Sequence, residues 1–265
     1  MGGTGQDITD GVGVKAPLMR AAEFADIIAA LRDGWSDFTA YPLFGFFFGG
    51  IFTLGGVFIY FVLSRYGAPW MVIPLAIGFP LLGPFVAVGL YEVSRRRMAG
   101  LPMNWSGVLL QVFEQRERQL GWMAFVVLFI FWIWVYQIWL LLALFLGFRM
   151  PHSVDGFITI ITSTPEGMGF IVAGTVVGAG LAAVLFATTV FALPMLMERE
   201  IDFVTAMITS ISAVLKAPLP MLAFGMLIGA ATLLALLPMF LGLVVVLPVM
   251  GHATWRLYTR LSRPA

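Results

Sequence analysis

One stretch of 37 uncharged residues decides how this chain folds: Leu219–Trp255, which reads LPMLAFGMLIGAATLLALLPMFLGLVVVLPVMGHATW. A single helix of that length would extend about 55 Å, whereas the hydrocarbon core of a membrane is only about 30 Å thick. Pro238 lies near the middle and cannot donate the backbone hydrogen bond that a continuous helix requires. The stretch therefore predicts a tight hairpin of two membrane-spanning helices, Leu219–Leu237 and Met239–Trp255.

The rest of the chain has the same character. It is 60% hydrophobic and 11% charged, which is too little polar surface for a soluble globule. Further uncharged runs long enough to cross a membrane are Tyr41–Leu63, Met71–Tyr91 (kinked by Pro74, Pro80 and Pro84), Trp122–Phe148 and about Met168–Met197. We predict an all-α membrane protein with six transmembrane helices in one domain, residues 17–258. Residues 1–16 are predicted to be a flexible tail and residues 259–265 a short C-terminal tail.

The basic residues are unequally distributed between the two sides that six spans create. With the N-terminus inside, the inner side carries thirteen: Lys15, Arg20, Arg32, Arg95, Arg96, Arg97, Arg116, Arg118, Arg199, Lys216, Arg256, Arg260 and Arg263. Only Arg65 and Arg149 lie outside. Because basic loops are retained in the cytoplasm, this asymmetry predicts that both termini are cytoplasmic. A five-span division would export the last three arginines and weaken the bias. Nothing before the first run resembles a signal peptide.

Three segments between the runs carry helical rows of apolar residues and are predicted to be interfacial amphipathic helices on the cytoplasmic side. They are Pro17–Phe38 with Phe24, Ile27, Ile28, Leu31, Trp35 and Phe38, then Asn104–Leu120, then Glu200–Leu215 with Ile201, Val204, Ile208, Ile211 and Leu215. Each of these helices leads into a span directed outward. A short outer turn and a span directed inward then follow. This order suggests three helix–hairpin repeats. The match of Phe44-Gly45-x-x-x-Gly49 to Phe224-Gly225-x-x-x-Gly229 supports the repeat.

Small residues and aromatic residues suggest how the spans pack. Glycines four residues apart allow close helix contacts in membranes, and the pairs are Gly45/Gly49, Gly174/Gly178 and Gly225/Gly229. The third span carries Phe129, Trp132, Tyr136 and Trp139 on one face, with Trp134 beside them. Lipid contact or helix packing is favoured for these rings over contact with a quinone or haem edge.

Chemistry inside the membrane is not expected. None of the six predicted spans contains Asp, Glu, Lys or Arg, which argues against an ion-coupled transporter or pump. The 15 basic and 14 acidic residues nearly balance, so no nucleic-acid partner is predicted, and the lack of cysteine excludes disulfides and iron–sulfur ligation. His152 and His252 fall on opposite sides of the membrane and cannot jointly bind one haem or metal. We therefore predict no cofactor, metal site or catalytic residue. The alternative role for either histidine is that of a single axial ligand of a haem or metal. The favoured interpretation is that His252 donates a hydrogen bond to a backbone carbonyl.

The remaining candidate residues lie just beyond the inner ends of the spans. Arg95, Arg96 and Arg97 are predicted to anchor the protein to anionic lipid headgroups, with a dedicated phospholipid or partner-protein site as the alternative. Glu92 and Glu198 occupy similar positions after spans 2 and 4, and we predict that they pair with these arginines. Together with His252 they form a candidate polar cluster, the one place where an enzymatic site could be built.

Three stretches of the chain resemble a bacterial family of multi-pass membrane proteins of unknown function. They are PLLGPFVAVGLYEVSRR (residues 80–96), FALPMLMEREIDFVTAM (residues 191–207) and LPVMGHATWRLY (residues 247–258), and the resemblance extends from about residue 25 onward. It implies a bacterial inner-membrane location. Some members carry the label of a cytochrome c oxidase subunit. A haem–copper catalytic subunit needs six histidines and its dinuclear copper centre needs cysteine, whereas this chain has two histidines and no cysteine, so the label implies at most an accessory or assembly subunit.

Two classes of function follow from these observations. The leading hypothesis is a non-catalytic scaffold or accessory subunit of a membrane complex, with a respiratory oxidase as one candidate, whose partners are membrane lipids and other membrane subunits. The alternative is a channel, transporter or lipid-handling protein for a neutral or lipid-like solute. A continuous cavity through the helices would favour the alternative, and a filled bundle would count against it.

Overall fold

The computed structural model describes residues 17–67, 69–78, 83–116, 120–147 and 153–262, and its side chains are described over slightly less of the chain. Within these residues the regular structure is entirely helical, as predicted. The twelve α-helices of this part are α1 (Phe24–Ala40), α2 (Pro42–Arg65), α3 (Val72–Gly78), α4 (Gly83–Ala99), α5 (Trp105–Arg116), α6 (Leu120–Leu141), α7 (Val154–Ser163), α8 (Pro165–Thr189), α9 (Ala192–Glu198), α10 (Phe203–Lys216), α11 (Pro218–Leu236) and α12 (Leu243–Leu261). A 3₁₀ turn (Pro69–Met71) precedes α3, and a π turn (Leu142–Leu146) extends α6.

Four helical segments of the described chain are long and apolar enough to cross a membrane. They are Pro42–Arg65, Leu120–Leu146, Pro165–Glu198 and Pro218–Leu236, of 24, 27, 34 and 19 residues. Even the shortest rises about 28 Å, close to the thickness of the hydrocarbon core. The predicted second span corresponds to α3 and α4, with residues 79–82 between them outside the described residues, and the predicted sixth span corresponds to the apolar half of α12.

The predicted break at Pro238 is present. Helix α11 ends at Leu236, residues 237–242 form turns, and α12 begins at Leu243. Met239 and Phe240 adopt left-handed backbone angles, with φ of 53° and 67°, which is costly for residues other than glycine. The Phe240 ring is buried, and the Thr53 hydroxyl donates to the Phe240 carbonyl at 3.0 Å. These contacts with α2 stabilise the turn and fix the position at which the chain reverses.

Helix α12 forms the centre of the best-packed part of the molecule and contacts α1, α2 and α4. Close approach depends on glycine. A Cβ atom at Gly34 of α1 would lie 2.7 Å from the backbone nitrogen of Ala253, and one at Gly49 of α2 would lie 2.8 Å from the Cα atom of Val244. Helix α12 continues to Leu261, whose side chain is buried. Residues 259–261 therefore belong to this packed helix, beyond the predicted domain end at residue 258.

The amphipathic row predicted for α1 divides between two faces. Ile27, Ala30, Gly34, Asp37 and Phe38 are buried. Phe24, Ile28 and Trp35, predicted on the same row, are exposed on the outer face. Small residues let α1 pack close to α12, and the bulky residues therefore remain outside.

Helix α10 behaves in the same way. It buries Ala206 and Ser210, whereas Val204, Ile208 and Leu215 are exposed. An exposed apolar row on an otherwise packed helix is what an interfacial helix presents to lipid.

Two helix junctions have the same geometry. Helix α1 gives way to α2 at Tyr41, with φ −135° and ψ 58°, and α10 gives way to α11 at Ala217, with φ −139° and ψ 65°. A proline begins the second helix in both cases, Pro42 and Pro218, because proline lacks the N–H group that is unsatisfied in a first turn anyway.

The connection between the third and fourth predicted spans contains a helix that the pattern of uncharged runs did not indicate. Helix α7 begins after Ser153, whose hydroxyl accepts a hydrogen bond from the Gly156 nitrogen at 3.0 Å. Its buried Phe157 packs against Trp70 with ring centroids 5.2 Å apart. This connection therefore contains a helix of ten residues where the repeat assumed a short turn.

A candidate polar site where three helix ends meet

The charged ends of α4, α9 and α12 lie together, and we call residues 92–99, 198–199 and 252–262 the rim. An aromatic contact and a hydrogen bond connect the three helices. Trp255 of α12 stacks on Tyr91 of α4 with centroids 5.9 Å apart, and the Tyr258 hydroxyl of α12 donates to Glu198 at 2.5 Å. Glu92, Glu198 and His252 are therefore brought to one end of the molecule, but each has its own partners.

Near the rim lies Asp37 of α1, whose side chain, like that of Glu92, has no solvent exposure. Its carboxylate accepts hydrogen bonds from Arg97 at 2.6 Å, from two nitrogens of Arg256 at 2.7 and 2.5 Å, and from the Ser94 hydroxyl at 2.7 Å. Burial acts to raise the pKa of Asp37, but the hydrogen bonds from Arg256 and Ser94 and the charge of Arg256 outweigh it, so the pKa lies below the ordinary aspartate value. Asp37 thus joins α1, α4 and α12 as a buried carboxylate.

His252 is connected to Asp37 through Ser94. The Ser94 oxygen lies 2.8 Å from Nδ1 of His252 and 2.7 Å from the Asp37 carboxylate. Because the single hydroxyl proton of Ser94 is donated to the carboxylate, the Ser94 oxygen must accept from Nδ1–H of a neutral His252. This assigns the proton of His252 to Nδ1. Nε2 is then a bare acceptor, and it is buried without a hydrogen-bond partner among the described residues.

The order of these three side chains differs from that of a nucleophilic triad. In a serine hydrolase the histidine lies between the serine and the carboxylate and removes the serine proton. Here Ser94 lies in the middle, and neither Ser94 nor His252 is exposed. This arrangement holds helices together and does not present a serine oxygen to a substrate.

The three consecutive arginines contact protein groups. Arg95 donates to Glu92 at 2.6 and 2.9 Å, Arg96 donates to Glu92 at 2.7 Å and to the Pro102 carbonyl at 3.0 Å, and Arg97 binds Asp37. The predicted pairing of Glu92 with these arginines is therefore present. Glu198 instead accepts from Tyr258 and lies 3.8 Å from Arg199. Arg95 and Arg97 each keep about a third of the side chain exposed.

An open cleft of about 320 Å³ lies in the rim between α4, α9 and α12; we call it the rim cleft. Its lining residues are Arg95, Met98, Ala99, Glu198, Arg199, Trp255, Thr259 and Ser262. Two of them have buried N–H groups without a hydrogen-bond partner in the described part of the chain: Arg199 at Nε and Trp255 at Nε1.

Tyr258 behind this cleft is a hydrogen-bond donor at neutral pH. Burial first, and then the hydrogen bond and charge of Glu198, raise the pKa of Tyr258, against a smaller opposing effect of Arg199. The phenol therefore remains protonated and continues to donate to Glu198.

The predicted glycine pairs differ in what surrounds them. Gly45 and Gly49 face other helices: a Cβ atom at Gly45 would lie 2.6 Å from the Phe38 ring and 3.2 Å from Pro248. Gly178 faces the Trp134 ring, whereas Gly174 and Gly225 have only ordinary contacts, at 3.7 Å to Leu141 and 3.5 Å to Phe186. Gly229 has no atom within 4 Å of a Cβ position, so no contact within the described chain accounts for a glycine there.

The aromatic face of α6 forms a stacked row on the outside of the molecule. Phe125, Phe129, Trp132 and Tyr136 follow one another with centroid separations of 6.2, 6.4 and 5.8 Å, and all four are exposed. Trp134 faces inward, and its indole N–H donates to the Pro74 carbonyl of α3 at 3.1 Å.

Asp37 is the residue that the sequence patterns missed. A detectable signal did exist, since Asp37 follows Ile27, Ala30 and Gly34 at spacings of three and four residues. A carboxylate in line with small residues on one helical face indicates burial against a basic helix.

His152 and residues 1–16 lie outside the described residues. Among the residues that are described, no group of three or more His, Asp or Glu side chains is placed to bind a metal ion.

Comparison with known proteins agrees with the membrane assignment. Residues 72–198 match the model of a family described as predicted integral membrane protein (DUF2189). No curated protein and no solved structure matches the chain.

Proposed function

We propose that this chain, whose residues 72–198 match the DUF2189 family of predicted integral membrane proteins, is a six-span, non-catalytic scaffold or accessory subunit of a larger complex in a bacterial inner membrane. Both termini are cytoplasmic in this proposal. The respiratory association belongs to the same proposal and rests only on the resemblance described above.

The two additional spans are argued from α3, α4 and α12. Helix α12 packs its apolar first half, including Leu243 and Val249, inside the molecule and carries Arg256 and Arg260 in its last turns. Helix α4 likewise ends in Arg95–Arg97. A helix that is apolar at one end and basic at the other fits a span that ends at the cytoplasmic surface. The matching junctions at Tyr41 and Ala217 support the repeat of an interfacial helix and a span.

The observation that carries the scaffold role is the open apolar surface of α8. In the apolar 18-residue stretch of Pro165–Glu198, only 11% of the residues are buried, compared with 39% in the corresponding stretch of Leu120–Leu146. The open face includes Val172 and Val176. It also includes a row of exposed small residues spaced four apart: Thr175, Ala179 and Ala183. Four-residue spacing of small side chains is typical of membrane helices that pack closely against another helix. A partner subunit is therefore the expected occupant of this face.

The alternative of a solute path receives no comparable support. Two clefts of the described residues open at the surface, one along a single face of α6 and the other at the rim. Neither is lined by residues from both ends of the helices.

Single-cysteine cross-linking in native membranes tests the proposal, since the chain has no cysteine of its own. Val176→Cys on α8 is expected to give a discrete cross-linked product with another membrane subunit, which mass spectrometry identifies. Phe58→Cys, on the exposed lipid-facing side of α2, is the matched control. If Val176→Cys gives no cross-linked product, or if Phe58→Cys gives the same product in equal amount, the result counts against a partner on α8. Movement of a neutral solute by the purified chain in liposomes would overturn the scaffold assignment.

A further inference from the structure

The rim cleft contains two buried N–H groups that have no hydrogen-bond acceptor among the described residues. Trp255 is 2% exposed and its indole N–H has no acceptor in the described part of the chain, and the same holds for the buried Nε of Arg199, which lies 3.8 Å from Glu198. A buried N–H group without an acceptor costs free energy, so such groups in a native structure require an explanation. Two of them lining one cleft indicate a ligand that supplies acceptor oxygens.

The charges around the cleft favour an anion. Arg95 and Arg199 line it with guanidinium groups, each about a third exposed. The one lining carboxylate, Glu198, accepts the Tyr258 hydrogen bond and lies 3.8 Å from Nε of Arg199, and Arg95 also donates to Glu92. Arginine and indole nitrogens only donate hydrogen bonds, and the guanidinium group matches the geometry of phosphate oxygens. A metal cation would be repelled by the two arginines.

The position of the cleft fits a phosphate at the membrane surface. Its walls are the residues just past the apolar segments of α4, α9 and α12. In the proposed topology this is the depth of lipid headgroups, where tryptophan and arginine commonly lie.

We propose that the rim cleft binds a phosphate group through Arg199, Arg95 and the Trp255 indole N–H. The chemistry is shared by an anionic phospholipid headgroup and by free phosphate. The proposal rests on the membrane topology proposed above but not on the scaffold role, because a partner on α8 and a ligand at the rim are separate surfaces.

Lipid retention by the full-length protein tests this site. The protein is purified in mild detergent, and native mass spectrometry measures its affinity for phosphatidylglycerol and for diacylglycerol, which lacks the phosphate. We expect tight retention of phosphatidylglycerol only. Arg199→Gln is expected to weaken it at least about tenfold, as for loss of a hydrogen bond to a charged group.

Two further variants separate binding from folding. Trp255→Phe keeps a ring on Tyr91 but removes the N–H group, and it should also lower the affinity. Arg65→Gln, at the far end of α2, removes an equal charge and should leave the affinity unchanged. Unchanged retention in both rim variants, or equal retention of diacylglycerol, would overturn the proposal.

Competition with inorganic phosphate identifies the source of the group. Displacement of the lipid at millimolar phosphate, together with a phosphate-dependent rise in melting temperature that Arg199→Gln abolishes, assigns the site to free phosphate. Retention of the lipid under the same conditions assigns it to the headgroup. Failed cross-linking at Val176 with intact lipid retention would reject the scaffold role alone.

Discussion

A carboxylate without solvent exposure, such as that of Asp37, remains ionised only when its oxygens are hydrogen-bonded and its charge is balanced. Arg97, Arg256 and Ser94 meet both requirements from two different helices. Removal of such a carboxylate costs more than loss of a surface ion pair, because it leaves two partly buried guanidinium groups without the negative charge that balances them. The same contacts position Ser94 between Asp37 and His252.

Asp37→Asn is expected to lower the free energy of unfolding by about 2–3 kcal/mol. The control is Asp26→Asn, which breaks the exposed Arg20–Asp26 pair and should cost no more than about 1 kcal/mol. Denaturant unfolding in detergent, followed by tryptophan fluorescence, measures both. Similar losses in the two variants would contradict the role of burial at Asp37.

The cost of Asp37→Asn should also depend on pH. Since the pKa of Asp37 in the folded protein is lowered, its carboxylate stabilises the fold fully above the unfolded pKa of about 3.9. We expect the difference in free energy of unfolding between the wild type and Asp37→Asn to be constant between about pH 5 and 8. This difference should shrink as the pH falls below about 4. If the difference in free energy of unfolding already shrinks above about pH 5 as the pH is lowered, the pKa of Asp37 in the folded protein is raised and not lowered.

The proton of neutral His252 is predicted to lie on Nδ1, because Ser94 can only accept from it. Nitrogen-15 NMR of histidine-labelled protein distinguishes the two tautomers, and a His152→Gln variant leaves one histidine to assign. Ser94→Ala removes the acceptor and should change the spectrum of His252. An Nε2–H signal in the wild type would show that Ser94 donates to His252 and not to Asp37.

Among the helices, the contact of α2 with α12 shows why identical sequence motifs behave differently. Gly49 and Gly229 occupy matching places in their motifs, yet only Gly49 lies against the backbone of another helix. Spacing alone predicted a packing role for both. Whether a glycine contacts a neighbour depends on the rotation of its helix, which long-range packing determines.

Gly49→Ala is expected to destabilise the protein by about 1–3 kcal/mol, because the added methyl group would lie 2.8 Å from the Val244 Cα atom and the helices would have to separate. Gly229→Ala adds the same group in open space and should be neutral or stabilise by up to about 1 kcal/mol, since alanine favours helix more than glycine. Unfolding in detergent measures both. A loss at Gly229 similar to that at Gly49 would indicate a contact with a second chain.

For the whole molecule, two regions differ in how they are packed. Helices α1, α2, α4 and α12 share buried apolar contacts and the Asp37 ion pairs. The segment Pro165–Glu198 is the least buried of the four apolar segments: only 11% of its apolar stretch is buried, compared with 39% for Leu120–Leu146, so much of its surface faces outward. Lipid or another subunit must cover that surface, since water would not stabilise it.

The six-span topology predicts which positions a membrane-impermeant thiol reagent reaches in intact cells. Tyr66→Cys, between α2 and α3 and 83% exposed, should react from outside. Leu101→Cys, between α4 and α5, should react only after the membrane is permeabilised. A C-terminal reporter that is active only in the cytoplasm tests the sixth span. Reaction of Leu101→Cys in intact cells would reject the proposed orientation.

The amino-acid sequence by itself determined the helical membrane class and the break near Pro238. Both depend on local physics: a backbone in lipid must satisfy its own hydrogen bonds, and a proline interrupts them. The tertiary structure decided which face of α1 is buried and which partners Asp37 has. Those partners lie 57 to 219 residues away in the chain, and no local pattern specifies which helices meet across such distances. The same holds for the rim cleft, which exists only because the ends of α4, α9 and α12 pack together.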